Sequence, residues 1–276
     1  MHTPSTALST GLLPDAVSRL QAPAAWQQVD FISDLHLDAH EPATFQAWAQ
    51  YMAHTRADAL FILGDLFEVW VGDDTQDPFA LQCLSVIAGA SKRLPVYFMC
   101  GNRDFLLGAY ALQASGMQPL NDPTVLSLGD QGLLLSHGDS LCLADHDYLA
   151  FRAQVRQPAW QAQFLSQPLA QRQATGQAMR AQSEARKRTH TDYADVDTPA
   201  ARAWLQATHC QVLLHGHTHQ PAVHDLGDGL QRWVLSDWHA SHTAPRLEVV
   251  SWLREEAGTP SRGLVRQALP PAALNA

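Results

Sequence analysis

Clusters of Asp, Asn and His recur along the chain, each directly after a short apolar run. There are five of them: Asp34-Leu35-His36, Gly64-Asp65, Gly101-Asn102-Arg103-Asp104, His137-Gly138-Asp139 and His217-Thr218-His219. Side chains alternate along an extended segment, so the partners of an Asp-x-His or His-x-His pair point to the same side. Carboxylate, amide and imidazole ligands without a thiolate suit Mn²⁺, iron or Zn²⁺ better than they suit a structural zinc site.

The number of these clusters indicates that they form one shared site. One Asp-x-His or His-x-His pair can arise by chance, whereas five clusters at predicted strand ends are typical of one shared site. Two metal ions about 3.5–4 Å apart can generate hydroxide and stabilise the entering and leaving oxygens at phosphorus. Glycines within the clusters allow the tight turns that aim such groups inward. The sequence therefore predicts a two-metal hydrolase of phosphoester or pyrophosphate bonds.

The apolar runs before the clusters are too short for helices and are bounded by Gly or Asp, which is typical of buried strands. We predict such strands at residues 29–33, 60–63, 96–100, 133–136 and 212–214. Apolar residues at helical spacing follow Pro42 and Pro78, since proline favours the first turn of a helix. Later strands are predicted at 232–235 and 247–253. Alternating strands and helices predict a layered α/β domain, in which ligands gather at the carboxyl ends of strands.

The stretch from 145 to about 206 interrupts this rhythm. It is rich in Gln, Ala and Arg and carries apolar residues at helical spacing, which predicts a helical cap inserted between the fourth and fifth strands. Between Asp145 and His190 seven basic residues face three acidic ones, so this stretch carries +4 and the rest of the chain −13. A locally positive insertion suits an anionic ligand or an anionic membrane surface, although a solvated helix face is the simpler alternative.

The composition argues against several classes of protein. The net charge of −9 argues against broad nucleic-acid binding. No apolar run has the roughly 18 residues that a membrane span needs, and the N-terminal residues lack the pattern of a secretion signal. The four cysteines form no C-x-x-C pair, which predicts reduced core thiols in a cytoplasmic protein.

The ordered motifs D-x-H, G-D, G-N-R-D, H-G-D and G-H-T-H resemble those of the calcineurin-like metallophosphatase superfamily over roughly residues 30–239. The resemblance implies a layered α/β sandwich of β-sheets flanked by helices, with the helical cap inserted. The chain would comprise a flexible N-terminal extension at 1–27, a metallophosphatase domain at 28–254 and a flexible C-terminal tail at 255–276.

The resemblance also implies a ligand set for two divalent metal ions, expected to be Mn²⁺. One ion would be held by Asp34, His36, Asp65 and His219. The other would be held by Asp65, Asn102, His137 and His217. Asp65 would bridge the two ions.

One departure from the superfamily pattern is informative. Most members carry G-N-H-D or G-N-H-E, whereas Arg103 stands at the His position here. This substitution is similar to the branch that hydrolyses UDP-2,3-diacylglucosamine in lipid A synthesis. Further residues match that branch. The shorter matches are Trp70 and Met179-Arg180-Ala181. The longer stretches are residues 32–37, 62–68, 72–74, 101–108, 137–142 and 215–224.

This branch implies a reaction and a location. A deprotonated water between the metal ions would attack the α-phosphorus, giving UMP and 2,3-diacylglucosamine 1-phosphate, on the cytoplasmic face of the inner membrane as a peripheral protein. The implied catalytic residues are Asp65, Asn102, Arg103 and His137. The implied substrate contacts are Asn102, Arg103, Asp145, Ser183, Lys187, His190 and His217.

Two alternatives stay open at the level of the sequence. Another two-metal phosphodiesterase or a nucleotide pyrophosphatase would carry the same ligands, but it would favour a small polar pocket over an apolar cap. A non-catalytic metallophosphatase scaffold would usually lack some ligands, whereas this chain has all seven positions.

Overall fold

Two six-stranded sheets flanked by helices form the framework of the chain in a computed structural model. The structure describes residues 13–14, 17–189, 194–240, 244–254 and 263–269, and for 182–189 it describes the backbone alone. The fold class predicted from the sequence, a layered α/β sandwich, is confirmed.

The first sheet carries three of the five polar clusters. Its strands, in spatial order, are β12 (Leu264–Ala268), β11 (Glu248–Leu253), β2 (Gln28–Ile32), β3 (Ala59–Leu63), β4 (Val96–Met99) and β5 (Gln118–Pro119). Strands β2 to β5 run parallel, whereas β11 is antiparallel to β2 and β12 to β11. Three helices cover its outer face: α1 (Pro42–His54), α2 (Pro78–Ser91) and α3 (Ala109–Ser115).

The second sheet carries the other two clusters. Its strands, in spatial order, are β1 (Ser18–Gln21), β6 (Thr124–Leu128), β7 (Gln131–Leu135), β8 (Val212–His215), β10 (Leu230–Val234) and β9 (Val223–Gly227). Strands β7, β8 and β10 run parallel, so β7 and β8 end at the same edge. Helix α7 (Thr198–Thr208) packs on the outer face, where Trp204 and Leu205 meet Leu134 and Leu213.

The core explains why the strand sequences are apolar on both faces. In β3, Phe61 and Leu63 pack between the two sheets, whereas Leu60 and Ile62 pack under α1 and α2. A strand buried on both faces loses the alternation of apolar and polar residues and appears as a continuous apolar run. Such runs end at the sheet edge, where the chain turns and polar side chains begin.

The cap consists of three helices that follow β7. They are α4 (His146–Val155), α5 (Pro158–Leu165) and α6 (Leu169–Thr189). The predicted cap reached to about residue 206, but α7 begins at Thr198 and belongs to the sandwich. The apolar stripe of α7 is buried by the second sheet, which helical periodicity alone does not distinguish from burial by a cap.

Two strands lie in the segments that were predicted to be flexible extensions. Strand β1 pairs parallel with β6, and β12 pairs antiparallel with β11. Both are half-exposed edge strands of mixed polarity and therefore lack the apolar run that marks a buried strand. The four cysteines are free thiols, as predicted. Within the described residues, none of the helices has both the length and the apolar character needed to cross a membrane.

Candidate metal centre

The polar clusters of both sheets meet at one edge of the sandwich. Asp34 and His36 follow β2, Asp65 follows β3 and Asn102 follows β4 in the first sheet. His137 follows β7 in the second sheet, and the His217-Thr218-His219 cluster follows β8. The arrangement follows from the direction of the strands, because parallel strands bring their carboxyl ends to a common edge.

The backbone at these strand ends is unusually tight. Five of the proposed ligands have φ between 45° and 69°, in the left-handed region. They are Asp34, His36, Asp65, His217 and His219. A non-glycine residue rarely adopts this conformation and needs surrounding contacts to hold it. The amides of Asp34 and His36 donate to the carbonyls of Gly64 and Asp65 at 3.1 and 3.0 Å. The two turns therefore hold each other in place.

Two glycines permit the turns after β3 and β4 to touch. A Cβ atom on Gly64 would lie 2.7 Å from the Cα of Gly101 and 2.4 Å from the His137 ring. A Cβ on Gly101 would lie 2.1 Å from a carboxylate oxygen of Asp65. Any side chain at either position would separate Asp65 from Asn102 and His137.

One group of ligand atoms surrounds the end of β2. His36 Nε2 lies 3.1 Å from His219 Nε2, and His219 Nε2 lies 3.4 Å from Asp34 Oδ1. His36 Nε2 is also 3.9 Å from Asp65 Oδ2. Two imidazole nitrogens that face each other beside two carboxylates can share one proton at most. A cation coordinated by all four side chains would accept a lone pair from each of them, so the donor set fits a divalent metal ion.

A second group lies on the other side of Asp65. Asn102 Oδ1 is 3.0 Å from His137 Nε2 and 2.9 Å from His217 Nδ1, and Asp65 Oδ1 is 3.7 Å from His137 Nε2. The two carboxylate oxygens of Asp65 thus face different groups. Asp34 also lies close enough to Asp65 and His137 to form a ligand set with them.

The charges in this centre favour a cation. Burial would raise the pKa of Asp34, but its hydrogen bond with His219 and nearby imidazoles hold that pKa well below the usual range. Burial would lower the pKa of His137, but the carboxylates of Asp65, Asp139 and Asp34 raise it to about 9. Burial lowers the pKa of His217 to about 4, and the charge of His137 adds to the effect. Asp34 is therefore ionised at neutral pH and His217 is a neutral imidazole.

Partners outside the ligand set orient the imidazoles. His137 Nδ1 donates to the carbonyl of Leu63 at 2.9 Å, and His36 Nδ1 lies 2.9 Å from Glu68 Oε2. Each of these bonds leaves Nε2 to face the centre, which is the usual arrangement around a metal-binding histidine. Asp104 accepts from the amides of Leu66 and Gly101, both at 2.7 Å, and so ties two ligand-bearing turns together.

Arg103 stands beside the ligand cluster. Its main-chain N–H donates to Asp65 Oδ1 at 2.9 Å, and its Nη1 lies 3.3 Å from Glu68 Oε1. The Arg103 side chain is only 11% exposed and lines the cavity above the centre. It can present planar N–H donors to an anionic group held at the centre.

A cavity of about 820 Å³ opens between the centre and the cap. Its floor contains the ligand cluster, and four further carboxylates and two arginines add charge. The remaining lining is mostly apolar: Val69, Trp70, Val71, Phe105, Leu106, Phe151, Trp160, Phe164 and Met179. A cavity with a charged floor and an apolar wall suits an amphipathic ligand.

The predicted substrate contacts are distributed unevenly. Asn102, Arg103, Asp145 and His217 line the cavity. Asp145 also caps α4, because its Oδ1 accepts from the amide of Tyr148 at 3.0 Å. Ser183 and Lys187 lie on α6 where side chains are not described, and His190 lies outside the described residues.

The sequence did not predict a functional role for several residues that lie at the centre. Glu68 and Asp104 stand within matching motifs but carry no ligand pattern of their own. Arg180 lies 2.9 Å from Glu68, and the ring of Tyr148 lies 5.7 Å from that of His217. Arg180 and Tyr148 are far along the chain from these partners, so no local pattern of residues marks the two contacts.

Comparison with known proteins agrees with this geometry. The calcineurin-like phosphoesterase family matches residues 28–221. The UDP-2,3-diacylglucosamine hydrolase of Chromobacterium violaceum is 47% identical over 215 residues, which cover 76% of this chain and 90% of that protein. The UDP-2,3-diacylglucosamine hydrolase of Xanthomonas campestris pv. campestris is 46% identical over 232 residues, covering 79% and 94%. The chain therefore belongs to the calcineurin-like phosphoesterase family and, within it, to the family of the UDP-2,3-diacylglucosamine hydrolases.

Proposed function

We propose that the chain hydrolyses the pyrophosphate bond of UDP-2,3-diacylglucosamine, releasing UMP and 2,3-diacylglucosamine 1-phosphate for lipid A biosynthesis. The observation that carries this proposal is the cavity itself. It joins a cluster of convergent carboxylate, amide and imidazole ligands to an apolar wall in one space of about 820 Å³. The relatives that are 44–47% identical and bear this activity in their names support the same substrate.

The centre is proposed to hold two divalent metal ions, with Mn²⁺ expected from the oxygen and imidazole ligands. One ion would be held by Asp34, His36, Asp65 and His219. The other would be held by Asp65, Asn102, His137 and His217. When bound, such ions lower the pKa of water and neutralise charge on phosphoryl oxygens. Asp65 would bridge the two ions, because its two carboxylate oxygens face different groups.

Arginine side chains bind and orient the diphosphate. Arg103 is held at the floor by Asp65 and Glu68, and Arg180 reaches Glu68 from α6. Their N–H groups donate to phosphate oxygens and stabilise the charge that develops there during the reaction. Attack at the α-phosphorus expels 2,3-diacylglucosamine 1-phosphate. Because that leaving group departs as a phosphate, it needs no proton from an acidic side chain.

The apolar wall accounts for the lipid portion of the substrate. Each acyl methylene group removed from water contributes about 0.8 kcal/mol. Phe105, Phe164 and Met179 belong to this wall, and the cap closes over the polar floor. Ser183, Lys187 and His190 are proposed as further contacts on the family resemblance alone.

The protein is further proposed to work at the cytoplasmic face of the inner membrane as a peripheral protein. The lipid substrate and the charge of +4 between Asp145 and His190 support this location. We expect the protein to co-sediment with vesicles that contain anionic phospholipid at low salt and to dissociate at high salt. Equal sedimentation with neutral and anionic vesicles would contradict the electrostatic part of the proposal.

The function is tested by incubating the metal-loaded protein with UDP-2,3-diacylglucosamine and measuring UMP. We expect Asp65→Ala to lower the rate by about 10³-fold or more, since it removes the bridging carboxylate. The matched control is Asp130→Ala, an exposed carboxylate in the turn at the other end of β7. Turnover of a generic phosphodiester without UMP release would instead indicate another two-metal phosphodiesterase.

A further inference from the structure

A buried arginine joins the cap to the sandwich at some distance from the ligand cluster. Arg172 of α6 is 2% exposed, and its guanidinium reaches the loop at 69–74. Nη1 donates to the carbonyl of Val71 at 2.6 Å and to Asp74 Oδ1 at 2.9 Å, and Nη2 donates to Asp74 Oδ2. Nε donates to the carbonyl of Gln167 at 2.9 Å. All three guanidinium nitrogens are bonded, so the buried charge is compensated.

Two glycines allow the helix and the loop to lie in contact. A Cβ on Gly72, whose φ is 138°, would lie 2.3 Å from Arg172 Nη1. A Cβ on Gly176 would lie 2.9 Å from Val69 and 3.0 Å from Val71. Residues four apart share one face of a helix, so Arg172 and Gly176 present a single surface to the loop.

The neighbouring carboxylate fixes the same loop to the sandwich. Asp73 Oδ1 accepts from the Trp70 indole at 3.1 Å and from the amide of Gly108 at 2.9 Å. Its Oδ2 accepts from the amide of Ala111 at 3.0 Å, at the start of α3. These two adjacent carboxylates therefore bind different parts of the molecule: Asp73 binds the sandwich and Asp74 binds the cap.

The residues held by this joint line the cavity. Val69, Val71 and Gly176 form part of the lining, and Met179 follows Arg172 by two turns on the same face of α6. We propose that the Arg172–Asp74 pair is a positioning joint that sets the distance between α6 and the 69–74 loop, and thereby the width of the apolar part of the cavity. If the proposed function holds, the joint controls how tightly acyl chains bind while it touches no reacting atom.

The first test replaces Arg172 by Met. With UDP-2,3-diacylglucosamine as substrate we expect KM to rise roughly tenfold while kcat changes less than about threefold. The preference for acyl-chain length should become weaker in the same variant. The matched control is Arg202→Met, which removes a helical arginine that pairs with Asp228 and the Leu226 carbonyl away from the cavity. Neither KM nor the length preference should change in that control.

A second pair of variants avoids removing a buried charge. Gly176→Ala adds a methyl group that meets Val69 and Val71, so the helix must move away from the loop. Alanine is the better helix former, so α6 itself should form as well as before. Gly89→Ala adds the same methyl group to α2, where nothing lies within 4 Å. We expect a changed KM and length preference in Gly176→Ala and wild-type values in Gly89→Ala.

Hydrogen exchange of the backbone amides at 169–181 provides a measurement that needs no substrate. The joint predicts faster exchange in Arg172→Met and no change in Arg202→Met. Unchanged exchange in Arg172→Met would contradict the proposed joint. Wild-type KM and length preference in both Arg172→Met and Gly176→Ala would contradict it as well. If the wild-type protein does not hydrolyse the lipid, the proposed function is contradicted. The exchange rates still decide whether the joint exists, because they are measured without substrate.

Discussion

At the scale of single residues, Glu68 links the proposed metal ligands to the arginines that we propose to bind phosphate. Its carboxylate lies 2.9 Å from His36 Nδ1, 3.3 Å from Arg103 Nη1 and 2.9 Å from Arg180 Nε. Burial would raise the pKa of Glu68, but the hydrogen bond with His36 and the nearby positive charges lower it to about 2. The carboxylate is therefore ionised at neutral pH and keeps Nε2 of His36 directed to the centre.

We predict that Glu68→Gln lowers the affinity for Mn²⁺ by roughly 10- to 100-fold, because the amide is a poorer partner for the ligand imidazole. Metal titration by calorimetry measures the change. Asp228→Asn is the matched control, since it converts an exposed carboxylate that pairs with Arg202. An unchanged Mn²⁺ affinity in Glu68→Gln would show that Glu68 does not orient His36.

The proposed ligands could be predicted from the sequence because each belongs to a short motif at a strand end. Asp104 could not be assigned a role in the same way. Its carboxylate accepts from two backbone amides, of Leu66 and Gly101, and backbone partners leave no trace in residue types. The left-handed backbone at Asp34 and His217 was also unforeseen, since such conformations are rare outside glycine.

At the scale of elements, the C-terminal end of helix α4 has its own attachment to the centre through Arg156, the residue after Val155. Arg156 Nη2 donates to the carbonyl of Gly101 at 2.7 Å, and Nη1 donates to Cys100 Sγ at 2.9 Å. Its guanidinium also lies 5.2 Å from the centre of the Phe105 ring. Because Asn102 follows Gly101 directly, this contact reaches the ligand turn itself, unlike the joint at Arg172.

We predict that Arg156→Met lowers kcat/KM roughly tenfold, because the turn that carries Asn102 loses a support. Unfolding in denaturant should show a loss of about 1–3 kcal/mol, the typical cost of leaving a buried carbonyl without its donor. Arg93→Met is the matched control, because Arg93 also donates to backbone carbonyls but at the end of α1. Loss of stability without any change in kinetics in Arg156→Met would contradict the role assigned to α4.

The sequence predicted elements according to how apolar they are. Buried strands such as β3 and β8 appear as apolar runs, because both of their faces are covered. The edge strands β1, β9 and β12 have exposed or half-buried residues throughout, so no such run marks them. The boundary between cap and sandwich at α7 was displaced for a different reason, since a helix buried by a cap or by a sheet has the same periodicity.

At the scale of the whole molecule, the centre lies where the two sheets meet. Asp34, Asp65 and Asn102 extend from one sheet, and His137 and His217 extend from the other. Ions bound to both sets would link the sheets, so metal binding should stabilise the whole fold. A ligand present at 100 times its Kd stabilises the native state by about 2.7 kcal/mol.

We therefore predict that Mn²⁺ raises Tm and that EDTA returns it to the metal-free value. In His137→Ala the increase on adding Mn²⁺ should be much smaller, since the second sheet loses a ligand. Differential scanning calorimetry with and without Mn²⁺ measures both effects, and Asp130→Ala serves as the control with the full increase. A Mn²⁺-dependent increase in His137→Ala as large as that of the wild type would contradict the assignment of His137.

The central claim is that this centre directs water to the α-phosphorus of UDP-2,3-diacylglucosamine. Hydrolysis in H₂¹⁸O followed by mass spectrometry of both products tests that claim most directly. We predict that UMP carries one ¹⁸O atom and that 2,3-diacylglucosamine 1-phosphate carries none. Label in the sugar phosphate would contradict attack at the α-phosphorus, and the absence of either product with the metal-loaded protein would contradict the assigned substrate.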